Sequence, residues 1–101
     1  VSTVINIDNE ASDDFTIVEI FTEDRIGVLF AITHSLHRLG LSIHVAKIST
    51  NVDQVADVFY VTDRRGGKIT DSAEVETVRG FLRQNIAPKN EASERRAEPL
   101  H

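Results

Sequence analysis

Phe15-Thr16-Ile17-Val18-Glu19-Ile20-Phe21-Thr22-Glu23-Asp24-Arg25-Ile26-Gly27-Val28-Leu29 is the stretch on which the fold turns. Over residues 15–21 apolar side chains fall on both alternating faces, the pattern of a central strand covered on both sides. Past the polar residues 22–25, Val28, Leu29, Ile32, Leu36 and Leu39 recur at helical spacing and form one apolar stripe. Asp24 reads as the N-cap of that helix, accepting backbone N–H bonds. Gly40 ends it, because glycine enters the left-handed conformation without a Cβ penalty. Leu41 is then placed to fold back onto Leu36.

Working outward, residues 4–7 form a β-branched run, joined to the central strand by polar turn formers at 8–14. The two runs read as a hairpin. Residues 43–50 read as a strand, Asn51-Val52-Asp53 as a turn, and residues 55–62 as a second strand apolar on both faces. Asp63-Arg64-Arg65-Gly66-Gly67 is a loop. Asp71 and Glu74 have capping-box spacing ahead of a second helix bearing Val75, Val78, Leu82 and Ile86, and Pro88 stops it. Beyond Pro88 the chain is polar with little to bury, so a domain at 1–87 and a disordered tail at 88–101 are expected.

The element order is ββαββα. Without its first strand this is an α+β, ferredoxin-like unit that lacks its last strand, and residues 4–7 would fill the vacant edge. The expected architecture is a four-stranded antiparallel sheet with both helices on one face. The other face is bare and partly apolar, which predicts a partner.

Composition narrows the function classes. At 101 residues the chain is one domain, without room for a core plus a deep enclosed active site. Its 41% hydrophobic and 27% charged residues suit a soluble globular protein. No apolar run approaches the ~20 residues of a membrane helix, and no signal peptide is visible, so no membrane partner is expected. The net charge of -5 argues against nucleic acid, whose binding rests on neutralising phosphates. The absence of cysteine excludes disulfides, thiol nucleophiles and Cys-type zinc sites, and is compatible with a cytoplasmic location. A valine start and no methionine suggest a piece of a longer protein.

No P-loop, GxGxxG, GxSxG or HExxH motif is present, so no catalytic residue, metal or cofactor is expected. His34 and His37, at i and i+3, suit the solvent side of a helix better than a metal site. His44 reads either as an edge-strand side chain or as part of a ligand wall. Asp57 interrupts an apolar strand and must be hydrogen-bonded or lie at a sheet end. Arg64-Arg65 suits a mobile basic loop better than an anion site. The turn at 24–29 combines a carboxylate, a glycine and the free N–H groups of a helix start. A free amino acid needs those complements for its carboxylate and ammonium. The same glycine equally suits close packing of the helix on the sheet.

Three further stretches join the turn: Leu39-Gly40-Leu41-Ser42-Ile43-His44-Val45-Ala46-Lys47-Ile48-Ser49-Thr50, Asp57-Val58-Phe59-Tyr60-Val61-Thr62-Asp63 and Ile7-Asp8-Asn9-Glu10-Ala11-Ser12. With them the chain resembles the ACT domain family of ferredoxin-like regulatory modules, above all the C-terminal ACT domain of bifunctional uridylyltransferase/uridylyl-removing enzymes. The resemblance implies amino-acid sensing, with glutamine first, in the control of nitrogen metabolism. It implies pairing as a homodimer or with a second ACT domain, and communication with the catalytic domains of a parent chain. Asp24, Gly27, Val28 and Leu29 match the family's ligand positions in the turn, and Ile43, His44 and Ala46 those on the following strand. The alternative is an assembly module with no ligand of its own. Ile26 stands where the family often has proline, so no ring pre-sets φ there. Neither a nucleotidyltransferase signature nor a His-Asp doublet is present, so this piece should bind rather than catalyse.

Overall fold

The computed structural model describes residues 2–88, and residues 89–101 of the expected tail lie outside the described residues. The order is β1 (Val4–Asp8), β2 (Thr16–Glu23), α1 (Val28–Arg38), β3 (Ser42–Lys47), β4 (Thr50–Asn51), β5 (Gln54–Thr62) and α2 (Ser72–Ile86). The strands form one antiparallel sheet in the order β1-β2-β5-β3, with β4 also paired to β5. This is the α+β ferredoxin-like arrangement, and β1 takes the edge beside β2 as expected.

Register explains why β2 and β5 are apolar on both faces. They pair over eight positions, from Thr16 opposite Val61 to Glu23 opposite Gln54. Val18, Ile20, Val55, Phe59 and Val61 point to one face, where Val28, Ile32 and Leu36 of α1 and Val78, Leu82 and Ile86 of α2 complete a buried core. Ile17 and half-buried Val58 and Tyr60 lie on the opposite face, which carries no helix.

Both helix ends follow local chemistry. At the end of α1, Gly40 has φ 79°, its N–H donates to His37 O at 2.9 Å, and Leu41 N–H donates to Leu36 O at 3.0 Å. These are the paired bonds of a Schellman motif, and they bury Leu41 over Leu36. Asp71 caps α2 by accepting Glu74 N–H at 3.0 Å, and the helix stops at Ile86 ahead of Pro88.

Two expectations are corrected. The strand expected over 43–50 is split into β3 and β4, giving five strands rather than four. A bulge falls between Ile43 and Val45, and the ladder breaks at 48–49, where Ser49 N–H donates to the Asp57 carboxylate at 3.1 Å instead of to a strand partner. Asp24 is not the N-cap of α1. Its N–H donates to Asp53 O at 2.9 Å, which continues the β2–β5 pairing beyond the strands. The helix starts one turn later behind Gly27, and no side chain caps it.

Core packing and the Gly40 turn are separately testable. Leu36→Ala should destabilise the domain by about 2–5 kcal/mol, as truncation of a fully buried leucine does, read as a lower urea midpoint. Gly40→Ala should also destabilise it, since a Cβ there would sit 2.7 Å from Arg64 Nε and at a positive φ.

Candidate functional site

The turn between β2 and α1 is held from two sides. The Asp24–Asp53 bond ties it to the tip of the β4–β5 hairpin, and Val28 N–H closes it on Arg25 O at 3.1 Å. At the hairpin tip Val52 has φ 57°, a conformation costly for a β-branched side chain, and is 95% exposed.

Gly27 has φ 83°, and a Cβ built on it would meet no atom within 4 Å. Glycine is therefore required here by backbone conformation and not by close helix–sheet packing, and open space borders its peptide. No side chain caps α1, and with Val28 N–H spent on Arg25 O the Leu29 and Phe30 N–H groups remain for water or an anionic group. The exposed Asp24 carboxylate makes no hydrogen bond or ion pair among the described residues. Exposed Ile26, Leu29 and Phe30 flank this polar centre along the chain, and exposed Val52 adjoins Asp53, which is bonded to Asp24.

The structure thus gathers Asp24, Gly27, Val28 and Leu29 in one turn, although the Val28 side chain is buried in the core and offers only its peptide. Ala46 lies opposite Phe59, and Ile43 opposite Val61 near the other end of the sheet. His44 is the bulged residue. Its Nε2 lies 2.8 Å from Thr62 Oγ1 and its ring 5.1 Å from that of Phe15, beside Tyr60 on the helix-free face. Ile43 and His44 are therefore remote from the turn within one chain. His34 stacks on Phe30 at 5.2 Å, and no group of three or more metal-ligating side chains occurs among the described residues.

Two groups behind the turn carry chemistry that sequence reading left unassigned or half-read. Arg25 extends to the end of α2, where Nη2 donates to Ile86 O at 2.5 Å. Its Nη1 is buried without an acceptor, a situation that costs about 1–3 kcal/mol or more for a charged donor. Its partner is 61 residues away, so nothing local in the sequence signals the contact. Asp57 is 1% exposed. Burial pushes its carboxyl above the ordinary 3.8, the Ser49 N–H partly opposes this, and the nearby Asp24 charge adds to it.

At the opposite end of the sheet, Leu39, Gly40, Leu41, Asp63, Arg64, Arg65 and Glu74 line an open cleft of about 530 Å³. The loop there is closed by its own bonds, with Asp63 Oδ1 accepting the N–H groups of Arg65 and Gly67, both at 2.9 Å. Those N–H donors, Gly67 first, hold the Asp63 carboxyl below its ordinary value. Arg64 packs over Gly40.

The family described as the ACR family N-terminal ACT domain matches residues 11–93. Over 84 residues the chain is 43% identical to a bifunctional uridylyltransferase/uridylyl-removing enzyme of Cereibacter sphaeroides, covering 83% of this chain and 9% of that protein. To enzymes of the same description it is 40% identical over 97 residues in Ruegeria pomeroyi (96% of this chain, 10% of the enzyme). In Caulobacter vibrioides it is 38% identical over 95 residues (94% and 10%). The chain spans about a tenth of the length of these relatives.

The Asp57 environment predicts a pH effect of definite sign. A carboxyl raised on folding binds its proton more tightly in the folded state, so its effect favours folding below the ordinary 3.8 and is lost as pH rises through the raised value. Asp57→Asn keeps an oxygen for Ser49 N–H and removes the charge. It should raise the denaturation midpoint at pH 7 and flatten the stability profile across that interval.

Proposed function

This chain belongs to the ACT family, and from that premise we propose that it is a regulatory amino-acid-sensing domain whose ligand seats in the turn at residues 24–29. The observation that carries the reading is the open, uncapped turn around Gly27. Its N–H groups suit an α-carboxylate and the unpartnered Asp24 carboxylate suits an α-ammonium. Leu29 supplies an exposed apolar contact. Glutamine, which the sequence resemblance implies along with a role in the control of nitrogen metabolism, is the first ligand to try, and the relatives' description fits a parent enzyme that adds and removes uridylyl groups. On this reading the chain itself catalyses nothing, and its cytoplasmic parent supplies the catalytic domains. None of the described helices is long and apolar enough to cross a membrane.

Pairing completes the site. Every residue of β3 is exposed, although the strand is hydrogen-bonded along one side to β5. An unpaired edge with exposed Ile43, Val45 and, just beyond it, Ile48 suits a second ACT domain, either another copy or a neighbour in the same parent. A family described by its N-terminal ACT domain favours the neighbour. Across such a pair, Ile43, His44 and Ala46 of one domain would approach the turn of the other. The same exposed edge supports the second reading, an assembly module with no ligand.

Calorimetry separates the two. Glutamine should bind the chain, and Gly27→Val should weaken binding at least tenfold, about 1.4 kcal/mol, because valine resists φ 83°. Asp24→Ala should weaken it as well. No heat from any amino acid at millimolar concentration, in a sample that sediments as a dimer, would leave only the assembly reading. Ile48→Lys should shift that sample toward monomer without unfolding it.

A further inference from the structure

The Asp24-Arg25-Ile26-Gly27 turn contains one side chain that the proposed ligand does not use. Arg25 turns away from the open side and spans to the C-terminal end of α2, where Nη2 donates to Ile86 O at 2.5 Å. The last carbonyls of a helix have no intrahelical donors and carry the negative end of its dipole, so a guanidinium is well matched to them. Its second arm is unmatched. Arg25 Nη1 is the one buried side-chain donor or acceptor without a partner among the described residues.

The surroundings give this contact its meaning. Arg83, in the last turn of α2, donates from Nη1 to Thr3 O at 2.9 Å, and Thr3 Oγ1 lies 2.8 Å from Thr22 Oγ1 at the end of β2. Ala87 N–H donates to Arg83 O at 3.0 Å. The start of β1, the end of β2, the turn and the end of α2 therefore meet at one end of the domain. The described chain both arrives and departs there. Arg25 thus links the turn directly to the last carbonyl of α2.

We propose that Arg25 is a positioning residue that couples occupancy of the turn to the conformation of the chain leaving α2. The inference rests on the ligand reading of the turn and adds its route of output. The half-satisfied guanidinium has two arrangements available. In one, only Nη2 is engaged; in the other, a shifted turn brings Nη1 to an acceptor in the last turn of α2. A ligand that holds the turn in the second arrangement biases the equilibrium, as coupling between two sites requires.

The test is a glutamine titration of this chain followed by the backbone amide resonances of Gly27 and Ala87, with hydrogen exchange of the Ala87 amide measured in parallel. In the wild type both resonances should shift with a common midpoint, and Ala87 exchange should change on saturation. In Arg25→Gln, Gly27 should still shift while Ala87 stays still. Arg25→Lys, which keeps one donor for Ile86 O and loses the fork, should fold as the wild type does and show a reduced Ala87 response. A Gly27 shift with Ala87 silent in the wild type overturns the coupling and leaves the ligand reading standing. An Ala87 shift of wild-type size in Arg25→Lys also overturns it. Silence at both amides overturns the glutamine reading and this inference together.

Discussion

The antiparallel ladder between β2 and β5 sets nearly everything else in this domain. Its eight paired positions place one row of side chains under two helices and a second row on the helix-free face. A strand pair covered in this way needs flanking strands for its outer hydrogen-bonding groups, and β1 and β3 supply them. The pairing also reaches past the strands. Asp24 N–H bonds Asp53 O, so Asp24 is still held by the sheet, and the chain turns through residues 25–27 before α1 begins. Gly27 makes that turn possible because it tolerates φ 83°. The helix start therefore lies one turn beyond the last sheet hydrogen bond.

The two ends of the sheet differ in how far their polar groups are satisfied. Near the Thr16 end, Asn9 Nδ2 donates to Ile69 O, Thr16 Oγ1 donates to Asn9 Oδ1, and Ile69 N–H donates to Thr16 Oγ1. Lys68 Nζ donates to Asn9 O and Ser12 O. This network ties the β1–β2 connection to the segment before α2. The turn end holds the unresolved groups: an uncapped helix, a buried carboxyl raised above its ordinary range, an unpaired guanidinium arm and a valine at positive φ. Local rules are commonly broken where a protein binds something, and here the departures cluster on one side. One end of the sheet is built for stability, and the other keeps unsatisfied donors and acceptors beside the turn.

Glycine at position 27 illustrates how structure separates two explanations that composition leaves equal. Close packing and backbone conformation both call for a residue without a Cβ. Open space around a hypothetical Cβ removes the first, and the left-handed φ requires the second. At Gly40 both apply, because Arg64 lies over it and φ is also positive.

Period, punctuation and end signals were legible in the chain itself. Short β-branched and aromatic runs apolar on both faces identified β2 and β5, the 3.6-residue stripe identified α1, and Gly40, Asp71 and Pro88 marked helix ends, because these depend on neighbours within a few residues. The resemblance carried by the turn and its flanking strands named the family from those same local features. What sequence could not supply depends on contacts between distant residues. The break of the edge strand coincides with the Asp57 carboxylate capturing Ser49, and at the expected start of α1 Asp24 is still bonded to Asp53 of the neighbouring strand's turn. The separation of His44 from the turn follows from a bulge and from strand register. Arg25 finds Ile86 only once α2 lies against the sheet. Spacing along a chain specifies local conformation, whereas the partner of a buried polar group is chosen by whichever segment packing brings within hydrogen-bonding distance.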